Sequence, residues 1–538
     1  MNMPAIAKTR TLRSVSLLLL GLVALLTACE RAAQPAKSPQ ASTAVAPTQA
    51  PAKQGIAWFE GDVETAFATA AEQGKPVFVY WGARWCPPCN QLKSTVFTRE
   101  DFIAQTRRYI AVQVDGDDRD AQRWAEHFGA MGYPTLIVFD SQGRERARLS
   151  SGMQLERYAR ILDQAIESES VAELVARVRI GDALQAEQWE RLAWHAWEVD
   201  QGRSLRTEAM PAFFRKAVLV TNGMPDLIRN RLIWLWWQAA YLNGDTQPEA
   251  YAIALGQQAL GQMLQEPQQW AANLELLQYE GAGWIEALTA EAPEQRAQWL
   301  TELSALMDRI WEDSEQALKI RLLTLRAAID IARVQQGEEA TLPEELVQTV
   351  RERALQATAE ADTPHLRQSL VYNAAWYLHE VGLTKEAETL LEAELQTAIA
   401  PHYYMSYLAE FAEARGNIQA SLAWSGRAAE EAKGPATRLQ WQLAHLQRLL
   451  ELQPAEDGPV LKALDELQQR ASIAPGSLYQ RSAVRLRRLD GPLRAWAEVS
   501  EARAQALRAW RQQWLPICDP LKAGTEAQAA CQGLLQQL

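Results

Sequence analysis

The chain contains 538 residues and carries a formal net charge of −12, with 48% hydrophobic and 22% charged residues. This length exceeds what one ordinary hydrophobic core supports, so we expect two or more domains. A chain this acidic, without a clustered basic stretch, is poorly suited to phosphate backbones or anionic membranes. Composition therefore argues against nucleic acid as a partner. The histidines are scattered without metal-ligand spacing, so no metal site is expected.

Residues 1–28 have the pattern of a bacterial export signal. Lys8, Arg10 and Arg13 precede an apolar run that ends at Ala28, is too short to span a bilayer and finishes in small residues. The tetrapeptide that ends at Cys29 resembles the bacterial lipobox, which implies that Cys29 becomes the acylated first residue. A transmembrane anchor is the alternative. Because glutamate follows Cys29 where an aspartate often retains lipoproteins at the inner membrane, the resemblance favours the periplasmic side of the outer membrane.

Residues 29–55 are predicted to form a disordered tether. The stretch is rich in Ala, Pro, Gln, Ser and Thr and contains no aromatic residue; the first one that follows it is Trp58. Such a composition buries too little apolar surface to offset the entropy of ordering the chain. The segment would either give the folded domains reach from the membrane or serve as a leader without further function.

Two cysteines in the sequence Trp85-Cys86-Pro87-Pro88-Cys89 follow an apolar run from Pro76 to Trp81 that predicts a strand. A polar helical stretch comes next, so Cys86 is placed at a helix N-terminus, where free N–H groups and the helix dipole favour thiolate. We expect this sulfur to be exposed and to act as the nucleophile. The prolines suit the first helical turn, and the spacing brings Cys89 beside Cys86 as the resolving thiol. A structural disulfide and half of a zinc site are the alternatives.

The sequence around this dithiol resembles the thioredoxin superfamily, and within it the C-terminal domain of the bacterial inner-membrane reductase DsbD. The motifs occur in the family's order over about a fifth of the chain. They are Gly74-Lys75-Pro76-Val77, the Cys-Pro-Pro-Cys motif, a strand that ends at Asp115, a helix from Asp120 to Phe128, and Gly132-Tyr133-Pro134-Thr135 before a further strand from Leu136 to Asp140. The resemblance implies an α/β thioredoxin fold over residues 56–167.

The same resemblance assigns supporting residues to the redox site. In the family, the proline that matches Pro134 follows a cis peptide bond and faces the dithiol. This arrangement would leave the Tyr133 backbone free to pair with an extended substrate segment. Trp85, Pro87 and Pro88 complete the set. An ordinary turn proline before a strand is the alternative for Pro134.

One position departs from the family pattern. Thioredoxins usually carry a buried carboxylate six positions before the first cysteine, where it helps to move the proton of the second thiol, and this chain has Tyr80 there. A water, a tyrosine hydroxyl or another acid would have to substitute. The departure puts thioredoxin-like reductase rates in doubt without affecting the exchange chemistry itself.

Residues 168–538 show long amphipathic stretches with short Gly or Pro breaks, which predict an all-α domain. Two of the expected helices, 343–358 and 492–514, open with a proline. Two helix pairs repeat at a 34-residue interval, with Ala375, Gly382 and Ala387 in one aligned with Ala409, Gly416 and Ser421 in the next. Within 366–433 this pattern resembles tetratricopeptide repeats and implies a helical-repeat domain with a concave surface. An irregular helical bundle is the alternative.

Aromatic residues are frequent in this helical region, including the cluster Trp234, Trp236 and Trp237. An aromatic-lined peptide groove is conceivable, yet aromatic residues at helical spacing usually fill the cores between packed helices. We therefore expect the cluster to be part of the core.

The last two cysteines, Cys518 and Cys531, lie thirteen positions apart around a break at Pro520 and Gly524. Exported proteins oxidise such pairs, so we predict a structural disulfide that staples a C-terminal helical hairpin. A second redox pair is the alternative, although neither sulfur has the Cys-x-x-Cys context that favours thiolate.

These observations predict a periplasmic, lipid-anchored thiol:disulfide oxidoreductase that needs no cofactor. Its expected partners are client proteins with disulfides and an upstream thiol reductant, for which a DsbD-like membrane protein is a candidate. The resemblance favours reduction, while the Pro-Pro dithiol by itself leaves reduction, oxidation and isomerisation open. The rival hypothesis is an envelope scaffold lipoprotein whose helical repeats bind proteins and whose redox domain is regulatory or structural.

Overall fold

A computed structural model describes residues 55–118, 121–149, 155–167, 169–242 and 247–538. The predicted export signal, Cys29 and all but the last residue of the predicted tether lie outside these ranges. Within the ranges, every helix is too short or too polar to cross a bilayer. The described chain consists of a small α/β domain followed by a large helical region.

A four-stranded sheet in the order β2-β1-β3-β4 forms the centre of the α/β domain. The strands are β1 Val77–Gly82, β2 Ile110–Asp115, β3 Thr135–Phe139 and β4 Glu145–Leu149. β1 pairs in parallel with β2, and β3 is antiparallel to both β1 and β4. All six residues of β1 are buried, as expected for a central strand covered on both faces.

Five helices accompany the sheet: α1 Val63–Gln73, α2 Pro87–Thr95, α3 Glu100–Thr106, α4 Gln122–Phe128 and α5 Leu155–Glu167. Successive side chains of β1 point to opposite faces of the pleated sheet. Phe78 and Tyr80 join the apolar cluster that contains the dithiol, whereas Val77, Val79 and Trp81 join the cluster on the other face. The α/β architecture that the resemblance implied is confirmed.

The rest of the described chain is helical between its connections, which confirms the predicted all-α region. Its helices are α6 Val171–Ile180, α7 Ala186–Ala193, α8 Trp197–Asp200, α9 Met210–Val220, α10 Asp226–Trp237, α11 Ala250–Gln265, α12 Pro267–Ala272, α13 Leu274–Leu288, α14 Pro293–Glu312, α15 Leu318–Gln336, α16 Glu344–Glu360, α17 Pro364–Glu380, α18 Thr384–Glu394, α19 Pro401–Ala414, α20 Ile418–Glu431, α21 Pro435–Leu452, α22 Asp457–Ile473, α23 Arg481–Glu498, α24 Glu501–Trp514 and α25 Glu526–Gly533. A π-helical turn, Gln238–Leu242, extends α10.

The two hairpins with the 34-residue interval, α17–α18 and α19–α20, are alike in their packing. Small residues are buried at the aligned positions, namely Ala375 and Ala387 in the first hairpin and Ala409 and Ser421 in the second. The turn glycines Gly382 and Gly416 both adopt left-handed backbone angles, with φ of 86° and 73°. Such angles favour glycine because it lacks a Cβ. Assignment of the whole region to the tetratricopeptide class stays a prediction.

One expected helix boundary is wrong. Pro492 lies inside α23 and does not open a helix. Leu489 and Leu493 are fully buried on either side of it, so the apolar face of α23 continues through the proline. Packing of this face offsets the one backbone hydrogen bond that proline cannot donate. The helix ends at Glu498, six residues after the predicted start, and the Ser500 side chain then caps α24.

The tryptophan cluster of α10 is part of the core, as expected. Trp234, Trp236 and Trp237 are all nearly inaccessible to solvent. The ring of Trp234 meets that of Trp284 on α13 edge to face, with 4.8 Å between centroids. These side chains therefore hold neighbouring helices together and do not line a groove.

A disulfide joins Cys518, in the turn after α24, to Cys531 in α25. Both residues are fully buried in the apolar cluster of the C-terminal helices. The indole N–H of Trp514 donates to the Cys531 carbonyl at 3.0 Å, which joins α24 directly to α25 beside the disulfide. The bond thus lies where a staple of the last helical hairpin was predicted.

Candidate active site

The dithiol lies at the start of α2, directly after the central strand β1. Cys86 is the N-cap residue of this helix, and Pro87 and Pro88 occupy its first turn, where no intrahelical N–H is needed. The Cys86 sulfur accepts a hydrogen bond from the Cys89 N–H at 3.2 Å. Cys86 and Cys89 are joined in a disulfide, with 5.2 Å between their Cα atoms. After reduction, the same N–H and the helix dipole favour negative charge on the Cys86 sulfur.

Tyr133 and Pro134 lie beside this helix start, and the bond between them is cis, as the resemblance implied. The Tyr133 ring stacks on Trp81, and Trp85 meets it edge to face at 5.6 Å. The Tyr133 hydroxyl accepts a bond from the Gln122 amide at 3.0 Å. Gly116 makes room for this hydroxyl, since a Cβ there would lie 2.0 Å from it. The predicted supporting residues are therefore brought together around the disulfide.

A half-buried carboxylate that sequence reasoning missed, Asp117, also belongs to this site. It accepts a hydrogen bond from the Trp85 indole N–H, next to Cys86 in the chain. Burial raises the pKa of the Asp117 carboxyl, and the bonds from Trp85 and Thr437 counteract this rise. The strand order could have pointed to Asp117. Because β1 and β2 are parallel, the residues that follow Asp115 and the dithiol that follows β1 lie at the same edge of the sheet.

Tyr80 cannot take over the role of the missing carboxylate as a proton acceptor. Its side chain is fully buried, and its hydroxyl has no hydrogen-bond partner within the described ranges. Burial and the charge of Asp115 raise the pKa of Tyr80, so the phenol stays protonated at neutral pH. Gly82 accommodates the ring, because a Cβ at that position would lie 2.4 Å from the hydroxyl.

The expectation that Cys86 is exposed is wrong for this arrangement of the chain. Cys86 is 1% exposed and Cys89 is fully buried. The cover comes from the connection before α19 and from its first turn, where Ala400 joins the same apolar cluster as the two sulfurs. The rings of His402 and Tyr403 lie 5.6 and 5.4 Å from that of Trp85. Local motifs could not reveal this cover, because it comes from a helix some 300 residues away.

His402 is an unusual component of this cover. Its side chain is buried, and neither ring nitrogen has a hydrogen-bond partner in the part of the chain that the structure describes. Burial lowers the pKa of His402 to about 4, and the positive charge of Lys433 acts in the same direction. The ring is therefore neutral at physiological pH and packs as an aromatic between Trp85 and Trp441.

Polar contacts fix the helical region against the α/β domain. Thr437, at the start of α21, donates to Asp117 from its N–H at 3.0 Å and from its hydroxyl at 2.9 Å. The Gln480 amide donates to the Ala125 carbonyl at 3.0 Å, and the Arg481 guanidinium lies over the Tyr133 ring. We refer to this arrangement, in which residues 399–403 cover the disulfide, as the closed form.

The sheet order, the dithiol at the start of α2 and the cis bond before Pro134 define a thioredoxin-like domain. Residues 63–166 match the family model described as a thioredoxin-like domain.

Within this class, the chain is similar to thiol:disulfide interchange protein DsbD. The relative from Pseudoalteromonas atlantica is 33% identical over 102 residues, which are 18% of this chain and 17% of that protein. DsbD of Actinobacillus pleuropneumoniae is 29% identical over 98 residues, again 18% and 17%. DsbD of Escherichia coli is 29% identical over 96 residues, or 17% of each chain. The chain thus spans only 17% of the length of these relatives, and the similarity concerns the thioredoxin-like domain.

Proposed function

We propose that this protein is a thiol:disulfide oxidoreductase of the bacterial envelope, anchored by lipid on Cys29, that reduces disulfides in client proteins. The observation that carries the proposal is the Cys86–Cys89 disulfide at the N-terminus of α2, in a domain related to DsbD. The similarity to a thiol:disulfide interchange protein supports the exchange chemistry and the envelope context. The direction of reduction rests on the resemblance of the sequence motifs to the C-terminal domain of DsbD. Lipid anchoring rests on the sequence that ends at Cys29.

The reaction begins with the reduced dithiol. The Cys86 thiolate attacks one sulfur of a client disulfide, so a mixed disulfide forms and the other client sulfur leaves as a thiolate. The Cys89 thiolate then attacks the Cys86 sulfur, which releases the second client thiolate. The client gains two electrons, and the Cys86–Cys89 pair loses two electrons and becomes a disulfide.

Turnover requires a reductant, because each reaction cycle leaves Cys86 and Cys89 joined in a disulfide. We propose that an upstream dithiol, for which a DsbD-like membrane protein is a candidate, reduces Cys86–Cys89 by the same exchange in reverse. Because the closed form buries both sulfurs, residues 399–403 must move away before either partner reaches Cys86. Opening exposes the edge beside Tyr133 as well, where an extended client segment would pair.

Two measurements on the purified full chain in mild detergent test this function. The reduced protein is expected to reduce a labelled peptide with one internal disulfide, and the Cys89→Ser variant is expected to accumulate a mixed disulfide with it. The Cys86→Ser variant, which keeps the buried Cys89, is the matched control. If the Cys89→Ser variant traps no more peptide than this control, the enzymatic function is refuted.

Equilibration with glutathione decides the direction. A reduction potential near that of thioredoxin, about −270 mV, is expected for a reductase. A potential near about −120 mV would instead identify an oxidase.

A second candidate function is favoured by one observation, the burial of Cys86 at 1% exposure. In an envelope scaffold, the helical region would bind proteins and the covered disulfide would serve as a structural or regulatory element. This candidate predicts that the full chain reduces no peptide disulfide even when it is supplied with excess dithiol. The two candidates are therefore separated by the same peptide assay.

A further inference from the structure

A series of half-buried aromatic rings runs across the first helix of three successive hairpins and ends at the dithiol. Its members are Tyr372 and Trp376 on α17, Tyr403 and Tyr407 on α19, and Trp441 on α21. We refer to these five residues as the aromatic strip. Tyr372 and Tyr407 stack at 4.1 Å, and Tyr403 lies 5.4 Å from Trp85, beside Cys86. Unlike the tryptophans of α10, the rings of the strip keep part of their surface exposed.

Basic residues of α23 approach the end of the strip that meets the dithiol, with Arg481 and Arg485 nearest to it. Arg481, Arg485 and Arg488 are spaced i, i+4 and i+7, so they share one face of the helix. The charges of Arg481 and Arg485 both act on the Tyr403 hydroxyl, and Arg481 also lies over the Tyr133 ring. We refer to the three residues as the arginine face.

The arginine face carries positive charge that the protein itself does not neutralise. Within the described ranges, none of its three guanidinium groups has a carboxylate at ion-pair distance, whereas Arg487 on the same helix pairs with Glu526 at 3.2 Å. Burial and the charges of Arg481 and Arg488 all lower the pKa of Arg485, as expected for crowded like charges. The charge of Asp117 raises the pKa of Tyr133 and of Tyr403. Its oxygens, however, already accept hydrogen bonds from Trp85 and Thr437.

Like charges one helical turn apart destabilise a helix, so this cluster would be stabilised by an anionic ligand. Tyrosine, tryptophan and arginine are also the side chains that contribute most at protein interfaces. Because the strip extends over three helices, a chain molecule fits it better than a small anion does. Guanidinium groups bind carboxylates well. Because these groups lie beside the dithiol, we expect the bound chain molecule to carry carboxylates close to its own cysteines.

We propose that the aromatic strip and the arginine face together bind an extended acidic segment of the client protein and present its disulfide to Cys86. The inference rests on the proposed oxidoreductase function and specifies its substrate class. The occupant is a polypeptide whose disulfide is flanked by Glu or Asp. In the closed form, Tyr403 covers the dithiol, so binding of such a segment along the strip competes with the cover.

Three peptides that differ only in charge test this inference. Each has one internal disulfide, flanked by four Glu, four Gln or four Lys residues, and the reduced full chain in detergent is the enzyme. The Glu peptide is expected to be reduced about tenfold faster than the Gln peptide at low salt, and the Lys peptide more slowly than both. The preference is expected to disappear at high salt, because screening weakens exposed charge pairs.

The triple variant Arg481→Gln, Arg485→Gln, Arg488→Gln is expected to reduce the Glu and Gln peptides at nearly equal rates. A variant with lysine at the same three positions keeps the charge and is expected to retain most of the preference. Arg487→Gln, which removes a paired arginine from the same helix, is the matched control and is expected to preserve the full Glu-to-Gln ratio. Trp376→Leu is expected to lower the rate at which each of the three peptides is reduced, by a similar factor for all three.

The outcomes separate the two proposals. Equal rates for all three peptides in the unmodified chain overturn the inference while the oxidoreductase function stands. Failure to reduce any peptide refutes the function itself. An oligothymidylate of the same net charge serves as a competitor. If it inhibits reduction at a lower concentration than the Glu peptide does, the ligand is a nucleic acid and not an acidic polypeptide.

Discussion

Asp117 of the thioredoxin-like domain caps α21 of the helical region through Thr437, the third residue of that helix. Its carboxylate accepts the Thr437 N–H at 3.0 Å and the Thr437 hydroxyl at 2.9 Å, and it also accepts the indole N–H of Trp85. The N-cap residue of α21, Gly434, has no side chain that could satisfy this N–H. One carboxylate therefore connects the residue before Cys86 to the helical region, and loss of this connection favours opening of the closed form.

Thr437→Val is expected to raise the rate at which iodoacetamide modifies Cys86 in the reduced full chain. The substitution removes the hydroxyl bond to a charged acceptor, which stabilises the closed form by about 1–2 kcal/mol. The open fraction should rise roughly five- to thirtyfold, and the alkylation rate with it. Valine keeps the side-chain shape, and Asp117 remains in place beside Trp85.

Thr389→Val is the matched control for this experiment. Thr389 is exposed on α18, and its hydroxyl bonds only to the Lys385 carbonyl of the same helix. This variant should react at the rate of the unmodified chain. If both variants react alike, Asp117 and Thr437 do not hold the closed form together.

His402 is expected to make the stability of the chain depend on pH between about 6.5 and 4. Its pKa is about 4 in the folded protein, below its ordinary value of 6.5, so the unfolded chain binds more protons in this range. The contribution is fully present above pH 6.5 and is lost as the pH falls towards 4. It corresponds to about 3 kcal/mol.

Urea unfolding at pH 7 and pH 4.5 measures this effect. His402→Phe keeps an aromatic ring against Trp85 and Trp441 but cannot be protonated, so it should lose less stability on acidification than the unmodified chain. His379 and His445 also have pKa values lowered to about 4, so a residual pH dependence remains in the variant. An unchanged difference between the two pH values would show that His402 is not buried as a neutral ring.

Local sequence patterns were sufficient for the redox motif but not for its surroundings. The helix start at Cys86 and the position of Pro134 follow from neighbouring residues, and both are found as expected. Thr437 lies 320 residues from Asp117, and no local pattern relates them. The cover over Cys86 depends on how residues 399–403 of the helical region pack against the α/β domain, which is a property of the packing of many helices. The prediction that Pro492 opens a helix was wrong for the same reason, because tertiary burial decided the helix boundary.

Replacement of both Cys518 and Cys531 by alanine is expected to destabilise the full chain without abolishing exchange at Cys86. Closing a loop of 13 residues restricts the unfolded chain and contributes about 3 kcal/mol. The Cys86–Cys89 bond closes a separation of only 3 residues, so the matched variant with alanine at these two positions should lose less stability. Urea unfolding without reductant gives both values. Equal losses for the two pairs would contradict the structural role of Cys518–Cys531.

Tyr80→Phe is expected to leave the second step of exchange nearly unchanged. The Tyr80 hydroxyl is buried, unpaired within the described ranges and protonated, because burial and Asp115 raise its pKa. It cannot accept the Cys89 proton, so its removal should alter the decay of a mixed disulfide at Cys86 by less than about twofold, a change that would correspond to less than about 0.5 kcal/mol. The stability of the chain should rise slightly, since a buried hydroxyl without a partner is unfavourable.

Stopped-flow measurement of that decay, with a peptide disulfide on reduced protein, provides the test for Tyr80. Tyr109→Phe is the matched control, because the Tyr109 hydroxyl is also buried in this domain but donates to the Leu162 carbonyl. The control should lose stability, because it removes the hydrogen bond to the Leu162 carbonyl, and it should keep the same decay rate. A tenfold slower decay in Tyr80→Phe alone would assign proton transfer to Tyr80, and the site would then follow the thioredoxin pattern with a phenol in place of the carboxylate.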